Sequence, residues 1–341
     1  MKKTVSIMDI ANALGLSRNT VSKALNGQHV NKKTEQLIIN TAINMGYKNY
    51  NVISTKKTTE QQKILVLSSV SLLASNYYIY LLKGITNKAE EYGFEVLQYF
   101  FRPNSSLEVL NTYINNLKVN GLICLEFFNE KMVNKISSLN LPIVFLDYPT
   151  YNYNLNGNFD ILLSENLISV TEVCNQMIEK GLKKFCFVGN PQNCKSFYER
   201  FLGMREALHY YKIPFEEKNN ITDTDISVYD DENVLAKHIA SLPVFPECFV
   251  CANDYLALQV LSALKILKKT CSKTLNVLGY DNTPESKSCT PKLSTINVNK
   301  VDLGTNAVHI LAERMTKKTP CKIIYLQTSF VLRESTKILS E

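Results

Sequence analysis

Apolar residues near the start of the chain recur at helical spacing. Ile7, Ile10, Ala11 and Leu14 stand three and four apart, which gives a short helix one apolar face. Ser6 is placed to cap that helix, with Asp9 at the third helical position, and Gly15 supplies the left-handed residue that ends it. Ser17 opens a second helix whose inward side is Val21, Ala24 and Leu25. Small Ala11 and Gly15, with Val21, are expected where the two helices cross tightly around a short turn. A third helix is predicted from Lys32 to Met45. Asn31 caps it, Leu37, Ile38, Ala42 and Ile43 form its inner stripe, and Gly46 closes it. Ser54 to Lys63, STKKTTEQQK, lacks a core residue and reads as a linker.

From Lys63 onward the pattern becomes strands alternating with helices. KILVLSS, FEVLQYFF, GLICLEF and PIVFLD are strand-like, with helices predicted near residues 77–92, 107–118 and 130–139. After Asn166 the series repeats. KKFCFVG, PECFVCA and TLNVLGYD are the strands, and helices fall near 166–180, 197–211, 232–241 and 254–268. Such alternation implies parallel sheets covered on both faces, and two sets imply two doubly wound lobes. A ligand is then expected where the carboxyl ends of the strands of both lobes face each other. The predicted fold class is α/β: a helix-turn-helix head over residues 1–50, a hinge over 51–62 and a two-lobed body over 63–341.

Charge separates head from body. Residues 1–60 hold nine lysines and arginines against three acids, which is six of the chain's seven net positive charges. A basic module on a nearly neutral body is the footprint of a phosphate-binding head. The outward side of the second helix carries Arg18, Asn19, Ser22 and Lys23. Arg and Lys suit guanine edges, Asn suits adenine and Ser suits phosphate.

Other chemistry finds little support. No apolar run reaches the eighteen or so residues of a membrane span, and Asp9 and Asn12 interrupt any signal-peptide core, so a cytoplasmic protein is expected. The nine cysteines are expected to be free thiols. Cys248 and Cys251 form a C-x-x-C, but residues three apart on a strand point to opposite faces, so both read as core. The four histidines show no ligand spacing, and no P-loop, dinucleotide fingerprint or nucleophile–base set is present. The chain therefore reads as a non-enzyme with no cofactor and no metal.

DIANALGLSRNTVSKALNG, followed at fixed spacing by VNKKT and MGY, resembles the head of the lactose/galactose/purine-repressor family of bacterial transcription regulators. SNYYIYLLKGI, NGLICL, LPIVFLD, ERFLGMREAL, CANDYLALQVL, NVLGYDNTPES, PKLSTI and LRES match later blocks in order, over essentially the full length. The resemblance implies a body with the fold of periplasmic sugar-binding proteins. It implies a homodimer whose heads read the half-sites of an inverted-repeat operator in double-stranded DNA. It also implies a small effector between the lobes that alters head placement. The chain ends at LRESTKILSE without the heptads a tetramerising coil needs, so a dimer is expected.

Residue roles follow by position. Arg18, Asn19 and Lys23 take base-reading positions, and Ser17, Thr20, Ser22 and Asn26 take positions that contact phosphate or support the helix. His29 joins the DNA-facing set. In the body, Tyr77 and Tyr78 replace an aromatic pair lining the effector cleft. Asp147, Arg200, Asn253 and Asp281 match effector contacts, and Glu126 lies one residue beyond a further pocket position. Aromatic faces with acids, an arginine and an amide favour a sugar or other polyol. A purine fits the same residues almost as well.

The hinge departs from the family. Ile53-Ser54 stand where Ala-Arg is usual, and Lys56 stands where a leucine wedges into the minor groove. β-branched Val52, Ile53 and Thr55 lower helix propensity. Less bending of the operator is expected, with Lys56 and Lys57 meeting phosphates and Ile53 as the alternative wedge. An activator, an effector-independent DNA binder and a solute receptor without a genetic role stay open as alternatives. The basic head and the absence of an export signal argue against the last.

Overall fold

The computed structural model describes residues 5–339 apart from 26–27, 29, 46, 48–60, 73–74, 103–104 and 152–154. Asn26, His29, Ile53, Lys56 and Lys57 lie outside the described residues, as do Gly46 and most of the expected hinge. The chain forms two compact units, Met1–Gln61 and Gln62–Glu341.

In the head, α1 (Ile7–Leu14), α2 (Arg18–Leu25) and α3 (Lys32–Asn44) enclose a small core of Ile10, Ala11, Val21, Ala24, Leu25, Ile38, Ala42 and Tyr47. Ser6 and Asp9 form a reciprocal cap. The Asp9 amide donates to Ser6 Oγ at 3.3 Å, and the Ser6 amide donates to Asp9 Oδ2 at 2.8 Å. Two expectations need correction. Leu37 is 52% exposed rather than internal, because Ile38 and Ala42, four residues apart, already fill the inward stripe of α3. A Cβ added at Gly15 would meet nothing within 4 Å, so Gly15 is required by its φ of +63° and not by a tight crossing.

The body begins β1 (Lys63–Ser68), α4 (Asn76–Tyr92), β2 (Glu95–Phe100), α5 (Leu107–Leu117), β3 (Val119–Leu125), α6 (Glu130–Ser137), β4 (Ile143–Leu146) and β5 (Phe159–Ser164). The chain then crosses to a second lobe. This contains α7 (Leu167–Glu179), β6 (Phe185–Val188), α8 (Lys195–Tyr210), α9 (Ser227–Asp230), α10 (Glu232–Ser241), β7 (Cys248–Cys251), α11 (Asp254–Ile266), β8 (Asn276–Asp281), α12 (Pro284–Ser288) and β9 (Ser294–Asn297). It returns to the first lobe as α13 (Lys300–Thr316) and β10 (Ile323–Leu326), and crosses once more as β11 (Ser329–Val331). The sheet orders are β10-β5-β4-β3-β1-β2 and β11-β9-β8-β7-β6. Every pairing is parallel except β11 with β9. The first sheet reverses direction of growth between β1 and β3, which opens a crevice at their carboxyl ends.

The alternation predicts seven strands in two successive sets. The structure adds β5, β9, β10 and β11, and interleaves the lobes through three crossovers. It also adds the 17-residue α13, which has no counterpart in the predicted elements. This helix buries Leu303, Ala307, Val308 and Leu311 against the first sheet and runs along α4. The two helices approach backbone to backbone at glycines. A Cβ on Gly84 would press into the Val301 carbonyl, and one on Gly304 into the Leu81 carbonyl. Cys248 and Cys251 are both buried on β7. Among the described residues, no helix is long and apolar enough to cross a membrane.

At the far end of α13, Arg314 Nε donates to Asp160 Oδ2 of β5 at 2.7 Å, and its Nη2 pairs with Oδ1. Both side chains are almost fully buried, at 1% and 2% exposure. Removing one partner of such a pair strands the other charge in the core. Arg314→Met is expected to lower unfolding stability by about 3–5 kcal/mol in urea melts. Adding Asp160→Leu should restore more than half of that loss. A double variant no more stable than the single one would mean that the ion pair is not what holds the helix end.

Candidate functional site

Two surfaces carry the sequence-predicted residues. In the head, Arg18, Asn19 and Lys23 are exposed on α2, with Thr20 and Ser22 half-buried. The Thr20 amide donates to Ser17 Oγ at 3.1 Å, and the two hydroxyls lie 2.8 Å apart. Ser17 and Thr20 therefore fix the start of α2 and leave Arg18, Asn19 and Lys23 as its outward polar face.

In the body, a cleft of about 710 Å³ opens where the strands of both lobes end. Tyr77, Tyr78, Glu126, Asp147, Arg200, Asn253 and Asp281 all line it. Glu126 follows β3, Asp147 follows β4 and Asp281 ends β8. All three have positive φ, at 64°, 68° and 115°. Non-glycine residues hold that conformation at a cost of about 1–3 kcal/mol, and here it turns each chain sharply at the strand end beside the cleft. The same three residues supply three of its four acids, Glu285 being the fourth.

Arg200 is buried on α8, with 6% of its surface exposed. Its Nε donates to Asn166 Oδ1 at 3.0 Å and its Nη1 to the Ala252 carbonyl at 2.6 Å. The guanidinium stacks on Tyr280 at 3.5 Å from the ring centroid. A surface pairing with Glu199 or Glu206 is thus excluded. Glu199 instead accepts from Asn166 Nδ2 at 3.1 Å and from the Tyr325 hydroxyl at 2.6 Å.

The remaining residues are positioned from several elements. Ser75 caps α4 and sets Tyr77 and Tyr78, whose rings meet edge to face at 5.4 Å. The Tyr78 hydroxyl is hydrogen-bonded to the Glu126 carboxylate. Asp147 Oδ1 accepts from the Tyr148 amide at 2.7 Å and, across the lobes, from the Ser196 amide at 3.2 Å. Asn253 caps α11, accepting from the Leu256 amide at 3.0 Å, which leaves its amide nitrogen for the cleft. Lys300 Nζ donates to the Asp281 carbonyl and, at 3.1 Å, to the Val298 carbonyl.

Burial raises the carboxyl affinity for protons throughout the cleft. Asp147 lies above the usual carboxylate range through burial, opposed by hydrogen bonds from Cys194, Tyr148 and Ser196. Burial also raises Asp281, against the pull of Arg200 and Lys300. Glu126 is pushed up to about 7 by burial, with Asp147 and Asp281 adding to the rise and Tyr78 opposing it.

Residue-type matching missed Asn166, Tyr280, Lys300 and Ser196. Tyr280 stands beside a predicted contact in GYD, and Asn166 heads a predicted helix. Lys300 and Ser196 carry no sequence signal: Ser196 lines the cleft only because the lobes meet there, and Lys300 acts on it through its bond to the Asp281 carbonyl. Among the described residues no cluster of His, Cys, Asp or Glu could hold a metal ion.

Because the folded protein holds the Glu126 proton more tightly than the unfolded chain does, its charge costs stability above pH 7. The cost fades as pH falls toward the ordinary value of 4.5. Glu126→Gln is expected to raise stability by about 2 kcal/mol at pH 8. The gain should shrink several-fold at pH 5. Urea melts at the two pH values check this, and an equal gain at both would show that ionisation of Glu126 is not the cause.

Residues 174–336 match the periplasmic binding protein-like domain family. The chain is 26% identical over 344 residues to the HTH-type transcriptional regulator GalR of Streptococcus thermophilus, covering 97% of this chain and 99% of that protein. The solved transcriptional regulator CelR–cellobiose complex superposes with a TM-score of 0.71 at 20% identity, covering 97% of this chain and 99% of the other. The lac repressor dimer bound to operator and the anti-inducer ONPF gives a TM-score of 0.67 at 21% identity, covering 98% and 99%. These proteins are transcription regulators and not enzymes. The likeness runs through head and body alike, and the chain is similar over nearly its full length to transcription regulators of the lactose/galactose/purine-repressor type.

Proposed function

We propose that the protein is a sequence-specific repressor. It binds a palindromic operator as a homodimer and is controlled by a small polar, sugar-like effector held between the body lobes. The observation that carries this reading is the convergence of seven residues, drawn from both lobes, on one cleft. They belong to a chain whose head exposes Arg18, Asn19 and Lys23 on a single helix. Relatives with the same fold support it: one was solved with cellobiose and another as a dimer on operator DNA.

On this reading α2 enters the major groove. Arg18 and Lys23 read guanine edges, Asn19 reads adenine, and Ser17, Thr20, Ser22, Asn26 and His29 contact phosphate or hold the helix. Lys56 and Lys57 add phosphate contacts from the hinge, with Ile53 as the apolar residue available to wedge. In the body, the Tyr77 and Tyr78 faces pack on sugar C–H surfaces. Asp147, Asp281 and Glu126 accept from hydroxyls, and Arg200 and Asn253 donate to oxygens. An effector that prefers one lobe geometry shifts the population of head arrangements, and operator must shift effector affinity by the same factor.

Arg18→Ala is expected to cost about 1–3 kcal/mol of operator affinity and to relax base choice at one position per half-site. Selection of bound DNA from a random pool, followed by fluorescence anisotropy on the selected palindrome, measures both. Equal loss on every sequence would reduce Arg18 to a phosphate contact.

Arg200→Ala tests the cleft. Operator binding is followed across a panel of monosaccharides, disaccharides and nucleobases. The variant should keep operator affinity within about threefold of wild type but lose its response to every compound that shifts the wild-type protein. A retained response would place the effector elsewhere.

A further inference from the structure

We infer that the effector carries a positive charge, as a protonated amine on a hydroxylated scaffold of the amino-sugar kind. The inference rests on the cleft being the effector site. Its walls hold four carboxylates, those of Glu126, Asp147, Asp281 and Glu285, against the single guanidinium of Arg200.

Two of that guanidinium's nitrogens are committed to Asn166 and the Ala252 carbonyl and its face to the Tyr280 ring, which leaves Nη2 to donate to a ligand oxygen. Lys300 does not line the cleft, and its ammonium is spent on backbone carbonyls. Two of the acids have internal partners. Asn76 Nδ2 donates to Glu285 at 2.8 Å, and the Tyr148 and Ser196 amides donate to Asp147. The other two are less engaged by the protein's own nitrogen donors. Glu126 is met by the Tyr78 hydroxyl. Among the described residues no hydrogen-bond donor reaches the Asp281 carboxylate.

These two acids belong to opposite lobes, Glu126 after β3 and Asp281 at the end of β8. Like charges on opposite walls repel, as the rise that Asp281 imposes on Glu126 reflects, so closing the lobes on a neutral ligand works against that repulsion. A cation between them turns the repulsion into two attractions. An anionic sugar adds a further negative charge and is excluded. A bare metal ion does not meet the need, because the carboxylates do not converge closely enough to hold one. The charge must arrive on a scaffold that spans the walls. Tyr77 already lies under the Lys300 ammonium, 5.6 Å from the ring centroid, but Tyr78 also lines the cleft, and an aromatic face there favours a cation.

The test compares matched sugars on the full-length protein at pH 7. Glucosamine, galactosamine and mannosamine are set against their neutral parents, their N-acetyl derivatives and the corresponding uronates, by thermal shift and calorimetry. At least one amine should raise the melting temperature and bind roughly tenfold more tightly than its neutral parent and N-acetyl form. Glu126→Gln and Asp281→Asn should each bring amine and parent to within about threefold. Both variants should keep a cooperative urea melt and a wild-type circular dichroism spectrum, which shows that they are folded. A neutral sugar or a uronate binding as tightly as the amine would overturn the proposal, as would a panel in which no amine binds. Neutral-sugar binding that Arg200→Ala abolishes would sink the charge requirement and leave the cleft assignment standing. Amine binding indifferent to all three substitutions would sink the cleft assignment as well.

Discussion

The architecture depends on the return of α13 to the first lobe. The chain leaves that lobe after β5, builds the second sheet, and comes back to lay a helix against α4 and a strand beside β5. Glycines at positions 84 and 304 let the two helices meet backbone to backbone. At the other end, the buried Arg314–Asp160 pair fixes the helix to β5. Neither contact tolerates much slack: one has no room for a methyl group, and the other has no water to replace a lost partner. With both in place, the lobes are tied by three crossovers and face each other at their strand ends.

The cleft inherits its chemistry from that arrangement. Parallel strands of both lobes deliver their carboxyl ends to one gap, so a residue just past each strand reaches the cleft without any long loop. Glu126, Asp147 and Asp281 occupy such positions in a left-handed backbone conformation that glycine would hold at lower cost. Carboxylates at those points are therefore held against local preference, and burial raises the cost of their charge further.

Arg200 joins the cleft to the crossovers. Asn166, its partner, opens the first crossover and also bonds Ser196 and Glu199. Tyr280, beneath the guanidinium, donates to the Glu165 carbonyl at the same crossover, and Tyr325 of β10 donates to Glu199. A ligand that moves Arg200 must strain or remake these buried bonds. Buried polar bonds exchange between discrete arrangements more readily than they stretch.

The sequence by itself determined what short-range physics governs. Helical spacing, caps and charge marked the head, and βαβ alternation marked the sheets. The family resemblance pointed to Asp147, Arg200, Asn253 and Asp281, with Glu126 one residue beyond a further pocket position. Local pattern failed where burial was decided at a distance. Leu37 matches the inner stripe of α3 but lies outside it, because Ile38 and Ala42 already occupy the small core. Polar Ser294 and Thr295 are fully buried in β9, because Asp254, Ser335 and Thr336 satisfy them from other elements. The roles of Asn166, Ser196, Tyr280 and Lys300 arise only when three crossovers bring distant segments into one gap. Those crossovers are a property of topology, set by close helix packing and one buried ion pair, and no window of sequence contains both halves of either contact.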